Sequence, residues 1–273
     1  MKKILFFEIK EFTGATRVTR TLAKAAAKDY QVAFAQVGDR IEEDIEFAIE
    51  EESPDILFSS FISINPFVIE IGKRKTLRVI IRNDYKFKDV PLEVRNRAVQ
   101  TYFLADEIIA QTEEMRQELI ELTEAEPSKV IVIENPLDKE EILLKASEPD
   151  PFKDNGKFHF LWVGRKDPIK DLPTLQKAFD IVHSQYPDTD LTLISDDPNP
   201  YRWMKHADCL VISSISEASP NVLREAIYLG TKVISSDCSP TVRKLLPKEN
   251  ICPISNPEAL ADMMVKIIIS VSR

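Results

Sequence analysis

Short, almost unbroken apolar runs recur along the chain. Each is followed by a stretch whose apolar residues return every three or four positions. The runs fall at residues 4–9, 31–37, 55–60, 77–81, 107–111 and 130–134, and a second series follows at 158–163, 191–195, 209–213 and 232–235. They show little polar alternation, as expected of parallel strands covered on both faces. The stretches between them predict amphipathic helices. Residues 15–28 put Val18, Leu22 and Ala25 or Ala26 inward, and residues 172–186 do the same with Leu175, Phe179 and Val182. Strand–helix alternation of this kind predicts right-handed βαβ units and open, doubly wound parallel sheets. The stretch Ala146-Ser-Glu-Pro-Asp-Pro-Phe-Lys-Asp-Asn-Gly156 is polar, carries two prolines and separates the two series. The expectation is therefore an α/β chain of two Rossmann-like domains, 1–148 and 149–273, facing a cleft.

Composition narrows the function without changing that picture. At 273 residues the chain is long enough for two domains, each with its own core. A net charge of −9 argues against a nucleic-acid partner, since phosphate neutralisation needs clustered Lys and Arg. A local basic stretch, Lys73-Arg-Lys75 with Arg78, Arg82, Lys86 and Lys88, reads as a solvated face that allows at most peripheral membrane contact. Cys209, Cys238 and Cys252 form no CxxC motif, and Cys209 and Cys238 read as small buried apolar groups of a reducing, cytoplasmic compartment. The opening Met-Lys-Lys-Ile-Leu-Phe-Phe resembles a signal peptide only until Glu8, Lys10 and Glu11 interrupt it. His159, His183 and His206 are scattered, and no metal site is expected from them. Asp188-Thr-Asp190 spells a metal–nucleotide motif but precedes its strand instead of following one, so it reads as a turn.

In doubly wound sheets, ligands bind beyond the carboxyl ends of the strands, so the strand-to-helix loops carry the candidate chemistry. Gly14, residues 82–85, Asn135, residues 164–170, residues 196–198 and Glu217 all fall there. The loop Gly164-Arg-Lys-Asp-Pro-Ile-Lys170 holds Arg165 and Lys170, permanent cations suited to a diphosphate; a plain solvated basic loop would read the same way. The segment Glu217-Ala-Ser-Pro-Asn-Val-Leu-Arg-Glu225 spans the start of a predicted helix. Ser219 is expected as its N-cap and Pro220 at its first position. Its open first-turn amides and the helix dipole suit an anion. Val222, Ala226 and Leu229 form the expected buried stripe, with Glu225 beside Asn221 at its border, where a carboxylate accepts hydrogen bonds from sugar hydroxyls.

Together these segments resemble the retaining glycosyltransferases of family 4, which have the GT-B fold. The likeness rests on Val163-Gly164-Arg165 with Lys170-Asp171, on Ala207-Asp-Cys-Leu-Val-Ile-Ser-Ser214, on the E-x7-E segment, and on Gly230-Thr-Lys-Val-Ile-Ser-Ser-Asp237. Ala105-Asp-Glu-Ile-Ile-Ala-Gln-Thr and Val132-Ile-Glu-Asn-Pro-Leu-Asp138 extend it into the first half. The resemblance implies transfer of a sugar from a nucleoside-diphosphate donor to an acceptor hydroxyl, with retained anomeric configuration and no metal or other cofactor. It assigns Arg165 and Lys170 to the diphosphate, Glu217 to the transferred sugar and Glu225 to the ribose. Gly14, Gly164, Ser219, Asn221 and Val222 would line the donor, and a saccharide, lipid-linked compound or small molecule would be the acceptor.

The chain departs from the family pattern at four points. Gly14-Ala15 replaces a glycine pair, and Ala218 stands where glycine is usual. The loop Ile81-Arg-Asn-Asp-Tyr85 lacks the family's histidine, which leaves Asn83 or Asp84 as possible sugar contacts. A strand and helix of the base pocket are missing between 195 and 207, so that Tyr201 and Trp203 are either stacking partners for the base or, the better reading, core residues. These departures keep two other readings open, a nucleotide-sugar-binding subunit without catalysis and a nucleotide-sugar epimerase. A nicotinamide dehydrogenase is disfavoured, because no GxGxxG follows the first strand.

Overall fold

The computed structural model describes residues 1–10, 14–152, 156–195 and 197–271. Lys153-Asp-Asn155 of the connecting stretch and Asp196 of the loop after residue 195 lie outside them. The first unit, Met1–Pro136, runs β1 (Lys3–Ile9), α1 (Gly14–Ala26), β2 (Gln31–Val37), α2 (Ile41–Glu52), β3 (Ile56–Ser59), α3 (Asn65–Arg74), β4 (Arg78–Arg82), α4 (Leu92–Thr101), β5 (Glu107–Ala110), α5 (Glu113–Thr123) and β6 (Val130–Val132). Its strands form one parallel sheet in the order β2-β1-β3-β4-β5-β6. The order reverses between β1 and β3, the place where such sheets open a crevice. Beneath it Phe6 lies against Phe58, ring centroids 4.7 Å apart, within a cluster that includes Ile4, Ala23, Ile56 and Ile109.

Helix α3 approaches this sheet closely through Gly72. A Cβ built there would lie 2.5 Å from Val79 Cγ2 and 2.9 Å from Leu57 Cδ1. Both neighbours belong to buried strands, so the helix must move for any side chain to fit. Gly72→Ala is expected to cost about 1–3 kcal/mol by overpacking, outweighing the helix propensity that alanine adds. Urea unfolding measures this, and an unchanged midpoint would show that the contact relaxes freely.

The second unit, Leu137–Arg273, runs α6 (Lys139–Ala146), β7 (Phe158–Val163), α7 (Leu172–Gln185), β8 (Thr189–Ile194), α8 (Pro200–His206), β9 (Cys209–Ile212), α9 (Asn221–Leu229), β10 (Lys232–Ser236), α10 (Pro240–Leu245), β11 (Ile251–Cys252) and α11 (Pro257–Val271). The sheet order is β11-β10-β9-β7-β8, again all parallel. Successive strand residues point to opposite faces, and this separates two cores. Leu161, Leu210, Ile212 and Val233 pack with α6, α8 and α9, whereas Phe160, Trp162, Cys209, Val211 and Ile234 pack with α7 and α11.

The division at Pro136 and Leu137 precedes the expected boundary at 148–149. Helix α6 is the reason. It buries Ile142 and Ala146 against Tyr201, Met204, Leu223 and Ala226, so it belongs to the second core. All ten expected strands form, and β11 and α8 are additional. Asp188-Thr-Asp190 leads into β8, where the Asp190 carboxylate pairs with Lys157 at 2.9 Å. The motif thus starts a strand.

Candidate functional site

In the second sheet the strand order reverses between β7 and β9, so the loops leaving these two strands flank the switch point. After β7 the chain turns at Gly164, whose N–H donates to Ile194 O at 3.0 Å. A Cβ there would approach Trp162 Cζ2 to 3.2 Å, which favours glycine. Arg165 follows, exposed. The Asp167 side chain accepts from Ile169 N–H, closing a short turn over Pro168–Lys170. Asp171 then adopts a left-handed conformation (φ 48°) and accepts from Thr174 N–H to cap α7. This cap fixes where Lys170 leaves the backbone.

The loop after β9 is bonded directly onto that turn. Ile215 N–H donates to Ile169 O at 2.8 Å, and Ser213 Oγ donates to Lys170 O at 2.7 Å. The Lys170 ammonium donates to Glu217 Oε1, and Ser214 Oγ donates to the same oxygen at 2.9 Å. Glu217 N–H donates to Cys238 O at 3.0 Å, and Ser236 Oγ to Ser214 O at 2.5 Å, so the loop after β10 supports the acid as well. The Lys170 and Glu217 side chains are 19% and 15% exposed. They are dry enough for their charges to matter, yet still reachable. Burial pushes the Cys238 thiol up to about 11, and the Glu217 charge adds to it. Burial likewise pushes the Cys209 thiol up to about 12. Both act as neutral packing groups.

Helix α9 begins one residue later than the sequence suggests. Pro220 is its N-cap in extended conformation and offers no side-chain hydrogen bond to the first turn. The Ser219 hydroxyl accepts from Thr241 Oγ1 at 3.2 Å. The buried face is Leu223, Glu225, Ala226 and Leu229, with Val222 half-buried. Glu225 is therefore inside that face, 4% exposed, and accepts from the Tyr201 hydroxyl at 3.3 Å. It does not stand at the border the helical wheel gave it. Asn221 opens the helix and is half-buried. Tyr201 belongs to the core, and the Trp203 indole donates to Asp197 Oδ2 at 2.8 Å. Core packing is thus the reading the structure supports for both aromatics.

The first unit contains the remaining candidates. Gly14 starts α1. Asn83 is fully buried, accepting from the Tyr102 hydroxyl at 3.1 Å and donating to Tyr85 O. Asp84 is half-buried and accepts from Ile62 N–H at 3.1 Å. The buried network continues through Arg82 and Asn135, already among the loop candidates, and through Asn65, Tyr102 and Gln111, which the sequence did not single out. Asn65 donates to Arg82 O and Tyr102 Oη, Arg82 donates to Asn135 Oδ1, Asn135 to Gln111, and Gln111 to Asn83 O. Burial lowers the Arg82 guanidinium to about 10, with Asp84 opposing, so the side chain stays charged at neutral pH.

The basic stretch is largely neutralised. Lys73 pairs with Asp106, Arg74 with Glu46, Lys75 with Glu50 and Arg78 with Glu107. Among the described residues no helix is long and apolar enough to cross a membrane. Nor do three or more His, Cys, Asp or Glu come together there to hold a metal ion. The His159 and His183 rings stack on Phe152 and Phe179.

Comparison with known proteins agrees with this architecture. Residues 137–270 match the family described as glycosyl transferases group 1. An uncharacterized glycosyltransferase of Methanocaldococcus jannaschii, MJ1059, is 26% identical over 256 residues, covering 76% of this chain and 60% of that protein. The chain thus spans about three fifths of the length of that curated relative. Among solved structures, Anabaena Alr3699/HepE in complex with UDP and glucose superposes with a TM-score of 0.74 at 12% identity, covering 100% of this chain and 91% of that one. An E. coli structure titled as trehalose-6-phosphate bound with UDP-2-fluoro glucose gives 0.73 at 11% identity, with 97% and 91% covered. Sucrose-phosphate synthase from Thermosynechococcus elongatus gives 0.73 at 13%, with 100% and 91% covered. The chain has the GT-B fold, and its second unit, with the Lys170–Glu217 pair at the switch point, matches the group 1 glycosyltransferases.

Proposed function

We propose that this protein is a retaining glycosyltransferase of family 4. It would move a sugar from a nucleoside-diphosphate donor to an acceptor hydroxyl without a metal. The observation that carries this is the contact of Lys170 with Glu217 where β7 and β9 part. A cation suited to a diphosphate stands beside an acid suited to the transferred sugar, on loops bonded to each other. Arg165 adds a second cation to the same loop, and Gly164, Ser219, Asn221 and Val222 would line the donor. The UDP-sugar complexes of the structural neighbours support a nucleotide-sugar donor. The acceptor would be a saccharide, a lipid-linked compound or a small molecule. Buried, neutral thiols fit a cytoplasmic setting.

One observation favours a second reading, a nucleotide-sugar-binding protein without catalysis: the Glu225 carboxylate is buried against Tyr201 instead of being presented at a rim. A panel of UDP-, GDP- and ADP-sugars, with transfer and donor hydrolysis followed in EDTA, decides between the two. The enzyme reading expects turnover within about twofold with and without EDTA, since Lys170 and Arg165 do the work of a metal. It also expects a product with the donor's anomeric configuration by NMR. Inversion, or loss of turnover in EDTA, contradicts it. Binding without turnover across acceptors establishes the second reading.

A further inference from the structure

We infer that Ser214 is a positioning residue: it and Lys170 share Glu217, and Ser214 holds the acid alone once a diphosphate draws Lys170 away. The inference rests on the proposed function, because it takes the ligand to be a nucleoside diphosphate. Glu217 Oε1 receives both donors, the Lys170 ammonium and the Ser214 hydroxyl. The backbone beneath both is held in place. Lys170 O accepts from Ser213, and Ser214 O accepts from Ser236. The lysine side chain is a flexible four-carbon stem with three N–H donors, so its ammonium can swing to a neighbouring anion while its loop stays in place. A diphosphate carries more negative charge than one carboxylate and competes for it.

Glu217 then loses its cation while only 15% exposed. A carboxylate in that position needs a remaining donor, or it pays the desolvation cost and turns away. The Ser214 hydroxyl is that donor. The backbone carbonyl of Ser214 is held by the Ser236 hydroxyl of β10, so the residue keeps its place wherever the lysine side chain goes. The acid thus keeps its aim while the cation changes partner.

The test has a binding arm and a turnover arm. UDP is titrated calorimetrically into wild type, Glu217→Gln and Ser214→Ala. Glu217→Gln is expected to bind UDP about 3–10-fold tighter, because Lys170 no longer has to leave a carboxylate, and Ser214→Ala to bind it within about twofold of wild type. In the turnover arm, Ser214→Ala is expected to lower kcat about tenfold with donor KM unchanged, and Ser214→Thr to restore it. Ser214→Ala adds nothing on a Glu217→Gln background if it acts only through the acid. UDP affinity that does not rise in Glu217→Gln, or wild-type kcat in Ser214→Ala, overturns the inference and leaves the proposed function standing. A wild type that binds no nucleoside diphosphate and transfers nothing removes both.

Discussion

Glu217→Gln is expected to lower turnover by about 10²–10³-fold, the range found when one group that stabilises developing charge is removed. The substitution is nearly isosteric, and its amide oxygen can still accept from Ser214 Oγ, so the loop geometry survives. What disappears is a negative charge in a site where both partners of the ion pair are mostly covered. Glycosyl transfer builds positive charge on the sugar as the donor bond breaks. A fixed carboxylate stabilises that charge more in a covered site than in water. The ground-state nucleotide gains nothing from the acid, so binding should tighten while kcat falls. Initial rates at saturating donor measure this, and wild-type turnover in the variant would remove Glu217 from the chemistry.

The largest expected loss of stability is at Phe160. This side chain is fully buried on β7, facing Leu175, Ala178 and Val182 of α7 together with α11. It stands 4.8 Å from the Phe158 ring and 6.5 Å, edge-on, from that of Phe179. Phe160→Ala opens a cavity between a sheet and two helices that cannot collapse independently. The cost is expected to be about 3–5 kcal/mol, a large share of the 5–15 kcal/mol typical of a domain. Since β7 also carries the Gly164 turn, donor binding should weaken at temperatures where the first unit remains folded. Urea unfolding of the second unit's transition reads the effect, and a loss below about 1 kcal/mol would show that the core repacks around the gap.

Much of the fold was legible because its strands are buried on both faces. Runs such as Phe158-His-Phe-Leu-Trp-Val163 have no competing helical period and end at glycine or polar loops. Helix α8 was not legible. It has seven residues, enters through Pro200, and its buried side chains, Pro200, Tyr201 and Met204, are too few to show a period. Strand β11 has two residues and exists only by pairing with β10. The Lys170–Glu217 pair lies 47 positions apart in sequence, and only the position of each loop after its strand pointed to their meeting. Glu225 was misplaced because the buried arc of α9 is wider than the stripe drawn through Val222, Ala226 and Leu229: it takes in Leu223 on one side and, where Tyr201 of α8 reaches it, Glu225 on the other. Ser213 and Ser214 carried a readable signal, two hydroxyls at the carboxyl end of an apolar strand. Their division of labour, one on the Lys170 backbone and one on the Glu217 carboxylate, needs the fold to be seen.

The central claim is that the second unit holds a nucleoside diphosphate with Lys170. Calorimetric titration of UDP, GDP and ADP into wild type and Lys170→Ala tests it most directly. One nucleotide is expected to bind the wild type, and the variant to bind it about 10–100-fold more weakly, the size of one charge-assisted hydrogen bond. Equal affinity in the two proteins, or no binding of any of the three to the wild type, would contradict it.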